Sequence, residues 1–499
     1  MFFQNQGLNE CAPENVFGIF TEKMAGFCPW RFMRRRGVKR ICARRFHYTC
    51  GFCFFFICAV FDDLTPALAA TCVFAFAVLL QLVLRFGLAL RQARAVALGR
   101  GAVPPRFAHK VSLAAHQRAA DYTAAKLRFG VLEGGAAAFI LLGWTLLGGL
   151  DALTAWLLQW LGPRPLLQPL ALLAAFMAIN ALLDMPFAAW QTFVIEQRFG
   201  FNKSTLRLWL ADHVKSALVG AALGVPLAAL ALWLMAQAGP LWWLWLWALW
   251  RAFSLLMMWV YPTLIAPLFN RFEPLADEAL KARITGLMQR CGFAASGLFV
   301  MDGSRRSAHG NAYFTGFGAA RRVVFFDTLL ERLTPDEVEA VLAHELGHCK
   351  RHHIARRVAC MAAMSLAALA LLGWLMQQGW FYAGLGVAPH LPPALGGSVP
   401  NHALGLLLFM LAAPVFGFFV TPFWSALSRK HEFEADAFAA AHSSAACLIS
   451  ALVRLYEDNA STLTPDNLYA RFYYSHPPAS ERIGRLELLM QPARGASSA

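Results

Sequence analysis

The stretch Thr334-Pro335-Asp336-Glu337, followed by Val338, Val341 and Leu342 and then by His344-Glu345-Leu346-Gly347-His348, decides how this chain is read. Thr334 can cap a helix, Pro335 suits its first position, and Glu337 completes a capping box. The apolar residues recur at helical spacing, so the segment is predicted as an amphipathic helix. On that helix His344 and His348 stand one turn apart on one face, and two imidazole nitrogens can reach one zinc ion. Glu345 is offset from that face, placed to hold a water beside the ion rather than to bind the ion. The plain alternative is a pair of surface histidines on a solvated helix, and the rest of the chain weighs against it.

Working outward, 58% of the 499 residues are hydrophobic and only 15% are charged. That balance excludes an ordinary soluble protein and implies a membrane protein with water-facing segments. Apolar runs near 67–90, 131–150, 166–186, 216–236, 241–266, 358–378 and 402–427 predict seven membrane helices. Each is about twenty residues long, enough to cross a bilayer.

Basic residues sort the connections. The link after the first span carries Arg91, Arg94, Arg100, Arg106, Lys110, Arg118, Lys126 and Arg128, and the link after the third carries Arg198, Lys203 and Arg207. The links at 151–165, 237–240 and 379–401 are nearly free of Lys and Arg. The positive-inside rule therefore places the motif helix and the C-terminal tail on the cytoplasmic side. The net charge of +15 is mostly this topology signal, and no nucleic-acid partner is read from it. An integral, multi-pass protein is expected, in a bacterial inner membrane by preference or in the endoplasmic reticulum if the host is eukaryotic.

Residues 1–60 do not fit this scheme. They hold six of the eleven cysteines and a basic cluster from Arg31 to Arg45 on the side that should be poor in positive charge. The apolar run 51–61 is too short to span. Cys50 and Cys53 make a CxxC without a second pair at finger spacing, which argues against a zinc ribbon. The segment is expected to be an atypical extension or, preferably, a start assigned too far upstream. The other cysteines, Cys72, Cys291, Cys349, Cys360 and Cys447, are isolated, as in a reducing compartment. The tail 491–499 reads as disordered.

Residues 61–266 are thus five spans with their links, 267–357 a water-facing insert, 358–427 two more spans, and 428–499 a tail. In the insert, 274–291 reads as a helix opening at Pro274 and stopped by Gly292. Leu298–Met301, Ala312–Phe317 and Val323–Phe326 read as short strands ahead of the motif helix. The fold class is mainly α: a seven-span helical bundle with a small α+β insert, too small to be an independent enzyme.

Topology points to a third metal ligand. After His348 the chain crosses the membrane and returns, emerging at Ser428-Arg429-Lys430-His431-Glu432-Phe433-Glu434-Ala435-Asp436. A hairpin of two spans returns to the side it left, so Glu432 lies level with His348 although it is 84 positions further on. Glu432 and Asp436 share a helical face, so one can bind the ion while the other orients a histidine ligand; Glu434 points elsewhere. In Tyr474-Ser475-His476-Pro477-Pro478 the Pro-Pro pair fixes His476, which suits a hydrogen-bond donor to a developing oxyanion. Arg251, within the fifth span, is expected to face a water-filled cavity or an ion-pair partner.

These blocks, with Phe193–Lys203, Asp302–Phe314 and Val324–Leu330, give a chain that resembles the type 1 CAAX prenyl proteases over about 90–490. These are integral-membrane zinc endopeptidases. The resemblance implies a seven-helix bundle around a water-filled chamber, one Zn2+ per chain held by His344, His348 and Glu432, and Glu345 as the catalytic glutamate. It implies Asp436 behind a ligand, Asn311 and Ala312 on a strand that pairs with substrate backbone, and His476 and Arg482 near the scissile bond and the substrate's C-terminal end. Where the family often has a bulky aromatic after the second histidine, this chain has Cys349.

The expected activity is zinc-assisted peptide hydrolysis, with Glu345 moving the proton, His476 serving the oxyanion, and Ala312–Phe314, including Tyr313, holding the substrate as an added strand. The partners are then the lipid bilayer and a peptide or protein substrate, prenylated in CAAX-type processing. A quality-control membrane metalloprotease indifferent to prenyl groups is the near alternative. A transporter or channel with a structural zinc is the remote one, because such sites close with four protein ligands.

Overall fold

The structure, a computed structural model, describes residues 65–293, 297–315, 322–388 and 401–491; of Phe314 and Thr315 only the backbone is described. The expectations for residues 1–60 and for the tail beyond Gln491 lie outside these residues.

Among the described residues, seven helices are long and apolar enough to cross a membrane: Pro66–Gly99, Leu113–Trp144, Leu167–Glu196, Leu206–Gln237, Gly239–Leu268, His353–Leu375 and His402–His442. Hydroxyl caps start three of them, with Thr65, Ser112 and Thr205 each accepting a hydrogen bond from a backbone N–H three residues on. Large apolar side chains such as Phe76, Phe139, Leu182 and Leu218 stay exposed along these helices. That is the expected lipid-facing surface of a bundle whose backbone groups are satisfied internally.

The helices outrun the apolar stretches that reveal them. The first is 34 residues long, about 51 Å, against a hydrocarbon core of about 30 Å. Much of the basic link at 91–130 is therefore helix, because the backbone continues its hydrogen bonding where the sequence turns polar. The link at 151–165 likewise contains a helix, Gly149–Leu161, too short to span. The third span ends in a π turn, Gln191–Glu196, and the fifth contains one near its end, Tyr261–Ile265, holding Pro262, which lacks an N–H to donate. Arg251 is half-buried in the fifth span and forms no ion pair among the described residues.

Among the described residues, four short strands form one sheet in the order β1-β2-β4-β3: β1 Phe272–Pro274, β2 Gly297–Met301, β3 Ala312–Thr315 and β4 Arg322–Phe326. β1 pairs antiparallel with β2, β2 parallel with β4, and β3 antiparallel with β4. β1 corrects the sequence reading. Pro274 ends this strand, and the helix begins only at Glu278, capped by Asp277. Proline is tolerated there because β1 lies at an edge of the sheet.

The insert shares its core with the C-terminal segment. One core joins Ile284, Leu287 and Met288, the strand residues Val323 and Phe325, Leu342 and Leu346 of the motif helix, and Leu448, Leu452, Ile483 and Leu486 of the C-terminal segment. Two segments separated by a membrane hairpin thus share one apolar interior, which gives the small insert the burial it lacks by itself. This body is fastened to the spans by the Arg91–Asp466 ion pair, a bridge between Asn202 and Ser307, and His309 against Glu196.

Candidate active site

The motif helix, Pro335–Lys350, begins as its sequence predicts, with Thr334 and Glu337 forming a reciprocal capping box after which Pro335 supplies the first helical residue. One turn separates His344 from His348, and their Nε2 atoms stand 3.2 Å apart. Helix Thr421–His442 continues the last span out of the membrane and lies across the motif helix. Gly347 permits this approach. A Cβ there would stand 3.0 Å from the Ala435 Cα and 3.1 Å from its carbonyl oxygen, so any larger residue would push the helices apart.

The close crossing brings Glu432 to the two histidines. Its Oε2 is 3.4 Å from His344 Nε2 and its Oε1 is 3.3 Å from His348 Nε2. The three donors are able to hold one metal ion. Donors about 2.05 Å from a tetrahedral ion stand about 3.3 Å from one another, close to the spacing of the two imidazole nitrogens and to that of each from its nearer Glu432 oxygen. Glu432 Oε2 is moreover buried and, although His344 Nε2 and His476 Nδ1 stand 3.4 and 2.8 Å from it, accepts no well-directed hydrogen bond, so it has capacity left for a cation. Burial alone would raise its carboxyl, but the imidazoles of His344, His348 and His476 outweigh that and hold it far below the usual carboxylate range.

Behind His344 stands Asp436, its Oδ1 2.8 Å from Nδ1. This contact turns Nε2 toward the triangle. Burial alone would lower the imidazole, yet contacts with Asp436 and Glu432 push it up to about 9. Asp436 is itself gripped by Arg482, with Nε to Oδ2 at 2.8 Å and a terminal nitrogen to Oδ1 at 2.6 Å. Arg482, which the resemblance places near the substrate's C-terminal end, is buried and paired with Asp436. A guanidinium placed opposite a buried carboxylate and below a histidine supports the site from behind.

Glu345, on the adjoining face, is half-buried. His476 is exposed, with Nδ1 2.8 Å from Glu432 Oε2, and its loop is anchored by buried Pro477 and Pro478 and by the Tyr456 hydroxyl donating to the Pro477 carbonyl. Asn311, Ala312 and Tyr313 lie at β3, the far edge of the sheet from β1. The Phe326 N–H donates to the Asn311 carbonyl, so by antiparallel alternation the backbone groups of Ala312 and Phe314 point to the edge that is free among the described residues. Asn311 Oδ1 accepts from the Ala312 N–H at 2.8 Å, occupying the place of a partner carbonyl. Burial pushes the Tyr313 hydroxyl up to about 12.

Sequence reasoning gave no role to His353 and Glu434. His353 Nδ1 is 3.0 Å from His348 Nδ1, and its Nε2 is 3.0 Å from Glu434 Oε2. Glu434 does point away from the metal ligands, as expected, but toward a histidine in contact with one. The available signal was a His-His pair, His352 and His353, four and five residues beyond His348.

Comparison with known proteins agrees with this architecture. A family model described as the CAAX prenyl protease N-terminal domain, five membrane helices, matches residues 92–271, and one for peptidase family M48 matches 274–489. The CAAX prenyl protease 1 homolog of Arabidopsis thaliana is 38% identical over 323 residues, 64% of this chain and 74% of that protein. The chain belongs to the CAAX prenyl protease 1 family. Other members include the CAAX prenyl protease 1 of Saccharomyces cerevisiae, 34% identical over 65% of this chain and 73% of the yeast protein. The human homolog is 30% identical, over 65% and 74%. The crystal structure of S. mikatae Ste24p superposes with a TM-score of 0.78 at 29% identity, covering 84% of this chain and 99% of that one. As a CAAX prenyl protease family member, the chain is a membrane-embedded metalloendopeptidase acting on peptide or protein substrates. The M48 match runs unbroken through two spans to residue 489, uniting the insert and C-terminal segment that share one core.

Proposed function

We propose that this protein is a zinc endopeptidase that processes the C-terminal ends of prenylated CAAX-type substrates from the cytoplasmic side of its membrane. The observation that carries the metal assignment is the convergence of His344 Nε2 and His348 Nε2, 3.2 Å apart, on the Glu432 carboxylate, whose Oε2 and Oε1 lie 3.4 and 3.3 Å from them respectively, a donor set that suits one zinc. Three protein donors leave a fourth position open, the pattern of a catalytic rather than a structural ion. When bound, zinc supplies a Lewis acid that polarises the scissile carbonyl and makes water more acidic.

The remaining work falls to side chains and backbone. The free edge of β3 holds the substrate as an added strand through the Ala312 and Phe314 backbone, displacing the Asn311 amide oxygen from the Ala312 N–H. Such pairing selects an extended peptide with little readout of side chains. Glu345 takes a proton from the attacking water and delivers it to the leaving amine. His476, at the exposed rim, donates to the oxyanion that develops on the carbonyl. Asp436 and Arg482 keep His344 aimed and its hydrogen on Nδ1. The cytoplasmic orientation follows from the Lys- and Arg-rich links on the side of the site.

Purified protein in detergent, given matched farnesylated and unprenylated C-a-a-X peptides, tests the substrate reading by mass spectrometry of the products. The expected result is a C-terminal fragment released from the farnesylated peptide at a rate at least tenfold above the unprenylated one. Equal rates would discard prenyl processing in favour of a general membrane quality-control peptidase.

A further inference from the structure

We infer that Glu434, His353 and His348 form a hydrogen-bonded chain that fixes which nitrogen of His348 faces the metal, making His353 and Glu434 positioning residues of the zinc site. The inference rests on the zinc reading above. It adds a support to the second histidine that the sequence motif does not specify.

The local backbone builds this arrangement. The motif helix ends at Lys350, and His352 adopts a left-handed conformation with φ 55° and ψ 31°. That region is uncommon for a side-chain-bearing residue, and holding it costs about 1 kcal/mol or more. The turn starts the next helix at His353 and folds its ring back behind His348. The ring is nearly fully buried, with 4% of its side chain exposed, and is stacked on His431 at 4.1 Å between centroids and 13° between planes. It cannot readily swing away.

The hydrogens then have one consistent assignment. His348 Nε2 faces His344 Nε2 and Glu432, so its lone pair must be on Nε2 if it is to bind a cation. Its hydrogen is therefore on Nδ1, 3.0 Å from His353 Nδ1, which accepts it. The His353 hydrogen is then on Nε2, 3.0 Å from the Glu434 carboxylate, an acceptor only. His353 is not itself a fourth ligand, because the nitrogen nearer the site meets the back of His348 and not the triangle. The two ligand histidines are thus held differently: His344 by a carboxylate directly, His348 by a carboxylate through a second imidazole.

Zinc affinity of the full-length protein in detergent, measured by competition with a chromophoric chelator, tests this, with the absorption bands of the Co2+-loaded protein as a second readout. His353→Leu removes the acceptor and should weaken zinc 10- to 100-fold and shift the Co2+ bands. His353→Asn, which offers an acceptor oxygen where Nδ1 stood, should recover most of the affinity. Glu434→Ala should weaken zinc several-fold, and the double variant Glu434→Ala/His353→Leu should bind no more weakly than His353→Leu, because Glu434 acts through His353. Affinities within twofold of wild type for the single variants, or losses that add, would overturn the chain. If His353→Leu does not fold, His353→Asn and Glu434→Ala carry the test: unchanged affinity and Co2+ bands in Glu434→Ala overturn it. His344→Ala separates the two readings, since zinc retained there refutes the metal site, whereas zinc lost there but unaffected by the His353 and Glu434 variants refutes only this inference.

Discussion

Arg482 grips Asp436 with two nearly parallel hydrogen bonds of 2.8 and 2.6 Å, directly behind His344. Both side chains are buried, so neither charge has water to fall back on. Arg482→Ala should therefore cost about 3–5 kcal/mol of stability and loosen zinc, whereas Arg482→Lys should lose the two-pronged geometry and recover only part of each. Thermal unfolding in detergent and chelator competition measure both; a stable, tightly metallated Arg482→Ala would contradict this role.

The same pair sets a response to acid. Burial opposes it, but Arg482 and His344 hold the Asp436 carboxyl at about 2, below its ordinary 3.8. A depressed carboxyl contributes stability above its ordinary value and loses it as pH falls through about 2. In metal-free protein, Asp436→Asn should thus be less stable than wild type at pH 5, with the gap narrowing toward pH 2.5. A gap that widens in acid would show the sign to be wrong.

The free edge of β3 gives a separate handle on substrate. Ala312→Pro removes the outward N–H while leaving the hydrogen bonds to β4, which use Asn311 and Tyr313. It should raise KM and lower kcat/KM by about tenfold or more, the worth of one or two hydrogen bonds, with zinc content unchanged. Wild-type kinetics in this variant would remove strand addition from the mechanism.

Two acidic residues on one helix should separate in metal analysis. Glu432→Ala deletes one of the three donors and should leave the purified protein nearly metal-free. Glu434→Ala reaches the metal only through His353, so at saturating zinc it should keep a full complement despite its weaker affinity. Equal metal content in the two would show that Glu432 is misassigned.

His476 is exposed and touches Glu432 without joining the triangle of donors. His476→Ala should lower kcat by about two to three orders of magnitude and leave zinc bound, with KM changing less, because its hydrogen bond strengthens as the oxyanion forms. Loss of zinc would make it a ligand, and an unchanged kcat would make it a turn residue.

What the sequence made legible follows from where each signal resides. Seven apolar runs and a capping box are local, and the structure contains the corresponding seven helices and the motif helix start. The return of Glu432 to the histidines was also accessible, because two spans must come back to one side. Helix extension beyond the lipid was hidden, since a polar stretch such as 91–99 has the composition of a link. β1 was hidden by Pro274, which marks a helix start as readily as an edge strand. The pairing of Arg482 with Asp436 was hidden, because the two are 46 positions apart and only the packed fold brings them together. His353 was missed because it acts through a left-handed turn at His352, a backbone state that histidine does not announce.

The central claim is that Glu345 moves the proton at a zinc held by His344, His348 and Glu432, and Glu345→Gln tests it most directly. The amide cannot take a proton, yet all three ligands are untouched, so zinc content and peptide cleavage should part company. Measured side by side on a farnesylated C-a-a-X peptide, the variant should retain one zinc per chain and lose about 10²- to 10⁴-fold in kcat. Activity within tenfold of wild type, with zinc bound, would contradict the account.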